Sequence, residues 1–158
     1  MPPEVGQIKL GCDGCSRGNP GPAGAGMVLR GSDGGTIGAM AVGLGICTNF
    51  IAEILAIILG LEWAKNLGLE KIWVTSDSHA AIRCFNDNKI PWFVLSRWTN
   101  LKKNLILNFS LVYRETNFAA DSMSKKEALL PLGISESFDH RPYFLTIENP
   151  ATTYFRFS

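Results

Sequence analysis

Alternation of apolar and polar residues near the start of the chain predicts three consecutive β-strands. Residues 7–13 alternate apolar side chains with polar or glycine positions, which is the period of a strand, and a Gly/Pro-rich turn follows. Residues 25–30 and 36–44 have the character of two further strands, separated by a turn sequence at residues 32–35. Strands joined in sequence by turns predict an antiparallel meander.

A long apolar stretch after the meander predicts a buried helix. Asn49 is suited to cap its N-terminus, and the helix is expected to run to about Asn66. Its non-apolar interior positions are few, so the helix must be covered on most sides. The uninterrupted apolar part is too short to span a bilayer, and we therefore expect no membrane partner.

The next part of the chain alternates predicted strands and helices. We predict a strand at residues 71–76, a helix capped by Ser78, a further helix at 95–104, a strand at 105–113 and a last helix from Asn117 to about residue 130. This order predicts an α/β fold with a mixed sheet, in which the first strand lies beside the fourth.

Domain organisation follows from the same patterns. Residues 7–130 are expected to form one domain, since the length of 158 residues requires no second one. Residues 131–158 show little periodicity and contain three prolines. We expect this C-terminal extension, whose role the sequence does not reveal, to pack on the surface or to be disordered.

Composition narrows the class of protein. The formal net charge of +1 at pH 7 argues against a strongly basic, non-specific nucleic-acid binder. Four cysteines are too few for a secreted disulfide scaffold, and no signal peptide is recognisable, so we expect an intracellular protein of the nucleus or cytoplasm, most simply a monomer. Cys12 and Cys15 have metal-ligand spacing, but no second pair of cysteines or nearby histidine completes a zinc site.

Positive charge is concentrated locally near two tryptophans. Arg97, Lys102 and Lys103 lie close together in the sequence, with Trp92 and Trp98 nearby. This pattern fits a solvated helix face with half-buried tryptophans, or less readily a binding patch.

Four acidic residues lie where the predicted strands end and the predicted helices begin. Open α/β sheets build their sites at the carboxyl ends of their strands. Grouped carboxylates repel one another unless a cation lies between them, and hard oxygen ligands suit Mg²⁺ or Mn²⁺. The sequence therefore predicts a metal-dependent phosphoryl-transfer site formed by Asp13, Glu53, Asp77 and Asp121.

Each of these acids also has a structural interpretation. Glu53 and Asp121 lie four residues after an asparagine, in the first turn of a predicted helix, where the helix dipole stabilises a negative charge by about 0.3–1 kcal/mol. Asp13 is a plausible turn residue, and Asp77 precedes a helix cap. The coincidence of four such positions in this element order favours the functional interpretation.

The residues around these acids carry a family resemblance. The chain resembles type 1 ribonuclease H domains, in particular their plant retroelement-related version, over about residues 7–130. The matching stretches are residues 13–24 (DGCSRGNPGPAG), 48–53 (TNFIAE), 76–78 (SDS) and 114–121 (RETNFAAD).

The resemblance implies a fold and an activity. The fold would be a mixed five-stranded sheet, an antiparallel meander plus parallel strands, flanked by helices, and the activity would be hydrolysis of the RNA strand of RNA–DNA hybrids. Two Mg²⁺ ions, or alternatively Mn²⁺, would be held by Asp13, Glu53, Asp77 and Asp121. Asn19, Asn49 and Ser78 would bind the substrate, although a turn role for Asn19 and capping roles for Asn49 and Ser78 remain alternatives.

Two positions depart from the family pattern. Leu111 stands where the family has a histidine ten residues before the last carboxylate, and Phe50 stands where a polar residue is more common. Leucine can neither carry a proton nor bind a departing phosphate. The rival hypotheses are therefore a nucleic-acid-binding module with weak or no catalysis, and a non-functional retroelement fragment.

Overall fold

A single mixed sheet with helices forms the part of the protein that the computed structural model describes, residues 6–112 and 135–138. The strands are β1 (Ile8–Ser16), β2 (Gly21–Arg30), β3 (Thr36–Cys47), β4 (Lys71–Ser76), β5 (Ile106–Leu111) and β6 (Ser135–Phe138). The helices are α1 (Asn49–Asn66), α2 (His79–Asn86) and α3 (Leu95–Lys102), and a short 3₁₀ turn (Trp92–Val94) precedes α3.

The strand order of the sheet is β5-β4-β1-β2-β3-β6. Strands β1, β2 and β3 form the predicted antiparallel meander, and β4 and β5 extend it by parallel pairing from β1. The prediction of an α/β fold with five mixed strands is confirmed, as is the pairing of the first strand with the fourth. One further strand, β6, was not predicted.

The first hairpin is longer than the sequence pattern predicted. β1 continues through Ser16, and β2 already begins at Gly21, so the turn lies at residues 17–20. The glycine-rich residues on both sides of this turn have a low strand propensity. They nevertheless form strands, because pairing across the hairpin provides hydrogen-bond partners for their backbone N–H and C=O groups. Asp13 therefore lies within β1, opposite Gly26, and the expectation that it ends the strand is wrong.

Helix α1 begins one residue earlier than predicted, because Thr48 caps it. The Thr48 hydroxyl oxygen accepts a hydrogen bond from the Ile51 N–H at 3.2 Å, and the predicted cap, Asn49, is the first helical residue. At the other end, Gly68 adopts a positive φ of 84°, and the Leu69 N–H donates to the Ala64 carbonyl oxygen. That left-handed residue closes the helix.

Helix α1 packs on β1 and β2 and is flanked by α2 and α3. Its core contacts bury Leu10 and Met27 of the sheet and Ile57 and Leu61 of the helix completely. The prediction that this helix is covered on most sides is confirmed. None of the described helices combines the length and hydropathy that crossing a bilayer would require.

A second group of buried rings joins α2, α3 and β5. The Phe85 ring lies 5.0 Å from that of Trp98 and 5.1 Å from that of Phe109, centre to centre. Trp98 is buried, whereas Trp92 is 86 % exposed. Arg97 forms an ion pair with Glu62 of α1, which supports the solvated-helix interpretation of this basic stretch.

Part of the C-terminal extension joins the sheet, since β6 pairs antiparallel with the outer edge of β3. The segment is only four residues long and mostly polar, which gave no strand signal in the sequence. The predicted helix from Asn117 to residue 130 lies outside the described residues, and the domain boundary at residue 130 stays a prediction.

Candidate active site

Three of the four predicted carboxylates meet at one end of the sheet. Asp13, Glu53 and Asp77 each offer an oxygen that lies within 4.8 Å of the others. The parallel ladder between β1 and β4 ends at Gly11 and Thr75, and two residues beyond that end lie Asp13, which is still within β1, and Asp77, which follows β4. Asp121 lies outside the described residues.

Glu53 reaches the cluster from α1 and is held by neighbouring donors. The Gly14 N–H donates to Glu53 Oε1 at 3.0 Å, and the Ser76 hydroxyl donates to Oε2 at 3.3 Å. The Ser78 N–H in turn donates to the Ser76 oxygen at 3.1 Å, which orients that hydroxyl. Because Thr48 is the cap, Glu53 is not in the first turn of α1, and the helix-dipole interpretation of this residue is wrong.

Burial makes the charge of this cluster costly. Burial raises the pKa of the Glu53 carboxyl from 4.5 to about 7; the Gly14 hydrogen bond opposes this rise and the Asp77 charge adds to it. The Cys12 thiol lies fully buried nearby, and burial, followed by the charges of Glu53 and Asp13, raises its pKa well above the ordinary value. Cys12 is therefore a neutral core residue. Since zinc binds the thiolate form of cysteine, this agrees with the prediction that Cys12 is not part of a zinc site.

The donor set fits a hard divalent cation. Three carboxylates that converge within 4.8 Å, with Asp13 only 2 % exposed, concentrate negative charge where water screens it poorly. A bound cation would offset this repulsion and favour the ionised form of Glu53, and oxygen-only ligands match Mg²⁺ or Mn²⁺. The described residues therefore suit the metal that the sequence predicted, without distinguishing between the two ions.

The raised pKa of Glu53 predicts that the metal-free protein loses stability as the pH rises. The folded protein holds this proton up to about pH 7, whereas the ordinary pKa is 4.5. The resulting stabilisation is complete below pH 4.5 and is lost as the pH rises through 7. With a chelator present, we expect this group to lower the free energy of unfolding by up to about 3 kcal/mol between about pH 5 and about pH 8. Denaturant titrations across this range would measure the effect.

The neutral variant Glu53→Gln provides the comparison for this measurement. It should lose most of the pH dependence and be more stable than the wild type at about pH 8. The same substitution at Glu70, outside the cluster, serves as the control. An unchanged pH slope in Glu53→Gln would contradict the assignment of this titration to Glu53.

Asn19 and Asn49 form a small network beside the cluster. The Ser16 N–H donates to Asn49 Oδ1 at 2.8 Å, and the Asn49 N–H donates to Asn19 Oδ1 at 3.0 Å. Both asparagines are exposed. Since these bonds occupy their carbonyl oxygens, their amide NH₂ groups are the donors that each could offer to a ligand. The prediction that Asn49 caps α1 is wrong, because Thr48 is the cap and the Asn49 side chain instead accepts from the last residue of β1.

The remaining predicted positions lie around the same end of the sheet. Ser78 caps α2, since its hydroxyl oxygen accepts from the Ala81 N–H at 3.2 Å, as one of its alternatives predicted. Phe50 follows Asn49 in the first turn of α1 and is 38 % exposed. Leu111 ends β5 opposite Ser76, the residue before Asp77, and is 50 % exposed.

Comparison with known proteins identifies the family. The family described as reverse transcriptase-like matches residues 11–127. RNase H1 from the archaeon Halobacterium salinarum has a crystal structure that superposes with a TM-score of 0.71 at 30 % identity, covering 77 % of this chain and 96 % of that one. The chain belongs to the type 1 ribonuclease H family.

Two further relatives are similar to this ribonuclease H domain. A protein of Arabidopsis thaliana whose name assigns it to the ribonuclease H proteins is 33 % identical over 145 residues, which are 89 % of this chain and 23 % of that protein. The crystal structure of LC11-RNase H1 in complex with an RNA/DNA hybrid gives a TM-score of 0.68 at 28 % identity, covering 75 % of this chain and 94 % of that one. The chain thus spans less than a quarter of the Arabidopsis protein's length.

The structure adds two residues to the site of this ribonuclease H domain that sequence reasoning missed. Gly14 supplies a backbone N–H to Glu53, and Ser76 supplies its hydroxyl. Both directly adjoin a predicted carboxylate in the sequence, Gly14 following Asp13 and Ser76 preceding Asp77. Their position next to Asp13 and Asp77 was the signal in the sequence that could have identified Gly14 and Ser76. Which of the residues beside a carboxylate faces Glu53, however, depends on how α1 docks on the sheet.

Proposed function

We propose that this domain is a metal-dependent endonuclease that hydrolyses the RNA strand of RNA–DNA hybrids. The observation that carries the proposal is the convergence of Asp13, Glu53 and Asp77 within 4.8 Å in a member of the ribonuclease H family. The LC11 relative, whose structure contains an RNA/DNA hybrid, supports the choice of substrate. Asp121 completes the proposed set of four carboxylates.

The carboxylates of this site would hold two Mg²⁺ ions, with Mn²⁺ as the alternative. When bound, such ions activate an attacking water and stabilise the departing 3′ oxygen of an in-line displacement. Asp13 would contribute its charge from within β1 and Asp77 from just after the adjacent strand β4, and Glu53 must release its proton to contribute as well. Gly14 and Ser76 keep the Glu53 carboxylate aimed at the other two.

Recognition of the RNA strand is proposed to come from amide and hydroxyl groups beside the metal site. Asn19 and Asn49 keep NH₂ donors for the 2′-hydroxyls in the minor groove of a hybrid, while their oxygens hold the loop in place. Ser78 lies at the start of α2, next to Asp77, and would contact the strand being cut. Because the net charge is only +1, binding would depend on these local contacts more than on a general positive field.

Cleavage of a labelled RNA–DNA hybrid tests the proposed function directly. We expect cleavage of the RNA strand with Mg²⁺ and none with a chelator, and no cleavage of duplex DNA or duplex RNA. The rival hypothesis, a binding module without catalysis, predicts tight binding of the hybrid and no cleavage under any metal. That outcome would reject the proposed activity.

Leu111 predicts a slow enzyme that a histidine would accelerate. Its position at the end of β5, opposite Ser76, is close to Asp77 in the sheet. General acid–base groups contribute about 10²–10⁴-fold, so an enzyme without one should be slow but measurable. We expect Leu111→His to raise kcat by up to about 10²-fold with little change in KM, because the residue would act after binding.

A matched control for this gain is available on the same strand. Ile106→His introduces a histidine at the opposite end of β5, at a residue that is 64 % exposed. This control should leave kcat unchanged. If both histidine variants bind hybrid and neither cleaves it, as with the wild type, the binding-module hypothesis would replace the enzyme.

The cellular location was predicted from the cysteine content and the N-terminal sequence, and the retroelement origin from the family resemblance. An intracellular location in the nucleus or cytoplasm, a monomeric state and a retroelement origin stay predictions. They await localisation of the tagged protein and a measurement of its mass in solution.

A further inference from the structure

Strand β3 is unusual because it is long, apolar and without charge. Its 12 residues, Thr36–Cys47, include no aspartate, glutamate, lysine or arginine. Its inner edge pairs with β2, and the pairing is regular over Gly38–Gly43, between two register shifts. An uncharged strand of this length at the edge of a sheet is a template for pairing with another chain.

The outer edge of β3 is covered by a short segment of the C-terminal extension. β6 pairs antiparallel with Ala39–Val42, the middle of the regular stretch. Its four residues, Ser135–Phe138, include two serines and Glu136. β6 thus replaces a long edge strand by one of only four residues, and short edge strands are one way in which natural sheets avoid edge-to-edge association.

We propose that the outer edge of β3 is a strand-docking surface whose partner is β3 of a second copy, and that β6 is the competitor built into the same chain. The edge already accepts an antiparallel strand, as β6 shows. Two β3 strands paired antiparallel are related by a twofold axis, so one patch serves both copies and closes the assembly as a dimer.

The absence of charged side chains in β3 favours pairing with β3 of a second copy over pairing with a charged strand. Since β3 has no charged residue, no like charges oppose each other in any antiparallel register of two copies. The exposed side chain of Ile37, just outside the stretch that β6 covers, adds apolar contact area. β6 and a second β3 would use the same backbone groups over Ala39–Val42, so their binding is mutually exclusive.

The test disrupts β6 in the full-length chain and measures mass against concentration. Glu136→Pro with Ser137→Pro removes two successive N–H groups, of which one faces β3. Sedimentation equilibrium should show this double variant forming dimers at concentrations at least about tenfold below those required by the wild type. The double threonine variant at the same two positions, which keeps the N–H groups, is the matched control and should behave as the wild type.

A second variant ties the dimer to the β3 edge. Adding Met40→Lys, at a half-buried position, to the proline variant places one lysine of each copy near the centre of a twofold pairing over Ala39–Val42, and their repulsion should return the protein to a monomer. A folded proline variant that stays monomeric, or a dimer that Met40→Lys leaves intact, would overturn the proposal. Loss of cooperative melting in the proline variant would overturn it as well, since β6 would then be part of the core structure and not a competitor for its edge.

Discussion

Asp13→Asn should abolish hybrid cleavage while leaving the fold intact. Asp13 is 2 % exposed and lies on the central strand, where its oxygen converges with those of Glu53 and Asp77. A neutral amide of nearly the same shape offers far less negative charge to a divalent cation. Electrostatic stabilisation by a metal amounts to several kcal/mol, so we expect kcat to fall by at least about 10²-fold. Single-turnover cleavage of a labelled hybrid would measure the loss.

The control for this variant is Asp33→Asn. Asp33 lies in the exposed turn between β2 and β3, where Oδ1 accepts a hydrogen bond from the Gly35 N–H at 2.8 Å. It should retain wild-type cleavage, and both variants should melt cooperatively. Undiminished cleavage by folded Asp13→Asn would reject the site, because no other residue of β1 could replace this carboxylate.

Gly14→Ala should destabilise the protein and inactivate it together. A β-carbon at this position would lie 2.2 Å from the backbone carbonyl atoms of Ala52 and 2.4 Å from the Glu53 nitrogen. The contact is with helix backbone, which no change of side-chain rotamer can relieve, so α1 must move away from β1. We expect the free energy of unfolding to fall by about 3 kcal/mol or more. Because the moving segment carries Glu53, cleavage should be lost even at temperatures where the variant remains folded.

Gly60→Ala, on α1, is the matched control at another close contact between this helix and the sheet. Its added β-carbon would approach Leu10 Cδ2 and Met27 Cγ at 3.0 Å, and these are side-chain atoms that can move by a few tenths of an ångström, unlike the helix backbone that Gly14 meets. The cost of this crowding is offset by the gain of about 1 kcal/mol in helix propensity, so the net change should be small. Equal destabilisation by the two alanines would contradict the view that Gly14 is where the helix backbone touches the sheet.

The hydrophobic pattern alone determined the order and approximate limits of five strands and the long helix. Apolar residues recur every two positions in a strand and every 3.6 positions in a helix on the side that faces the core. The sequence must keep this spacing because those side chains are buried. The same pattern located Asp13 and Asp77 near the ends of neighbouring strands, and the order of elements brought those strands side by side. The sequence therefore sufficed to predict the group of carboxylates, of which Asp13, Glu53 and Asp77 converge in the structure, while Asp121 stays a prediction.

Tertiary contacts decided the rest. Thr48 caps α1, whereas the Asn49 side chain is engaged by the Ser16 N–H at the end of β1, a contact between residues 33 positions apart. Gly14 and Ser76 hold Glu53 only because α1 docks within backbone contact of β1. Residues 135–138 form the strand β6 because they pair with the backbone of the outer edge of β3. Each of these three features depends on backbone donors and acceptors that lie on an element far away in the sequence. The local sequence does not show which distant element will pack there, so these features could not be predicted from it.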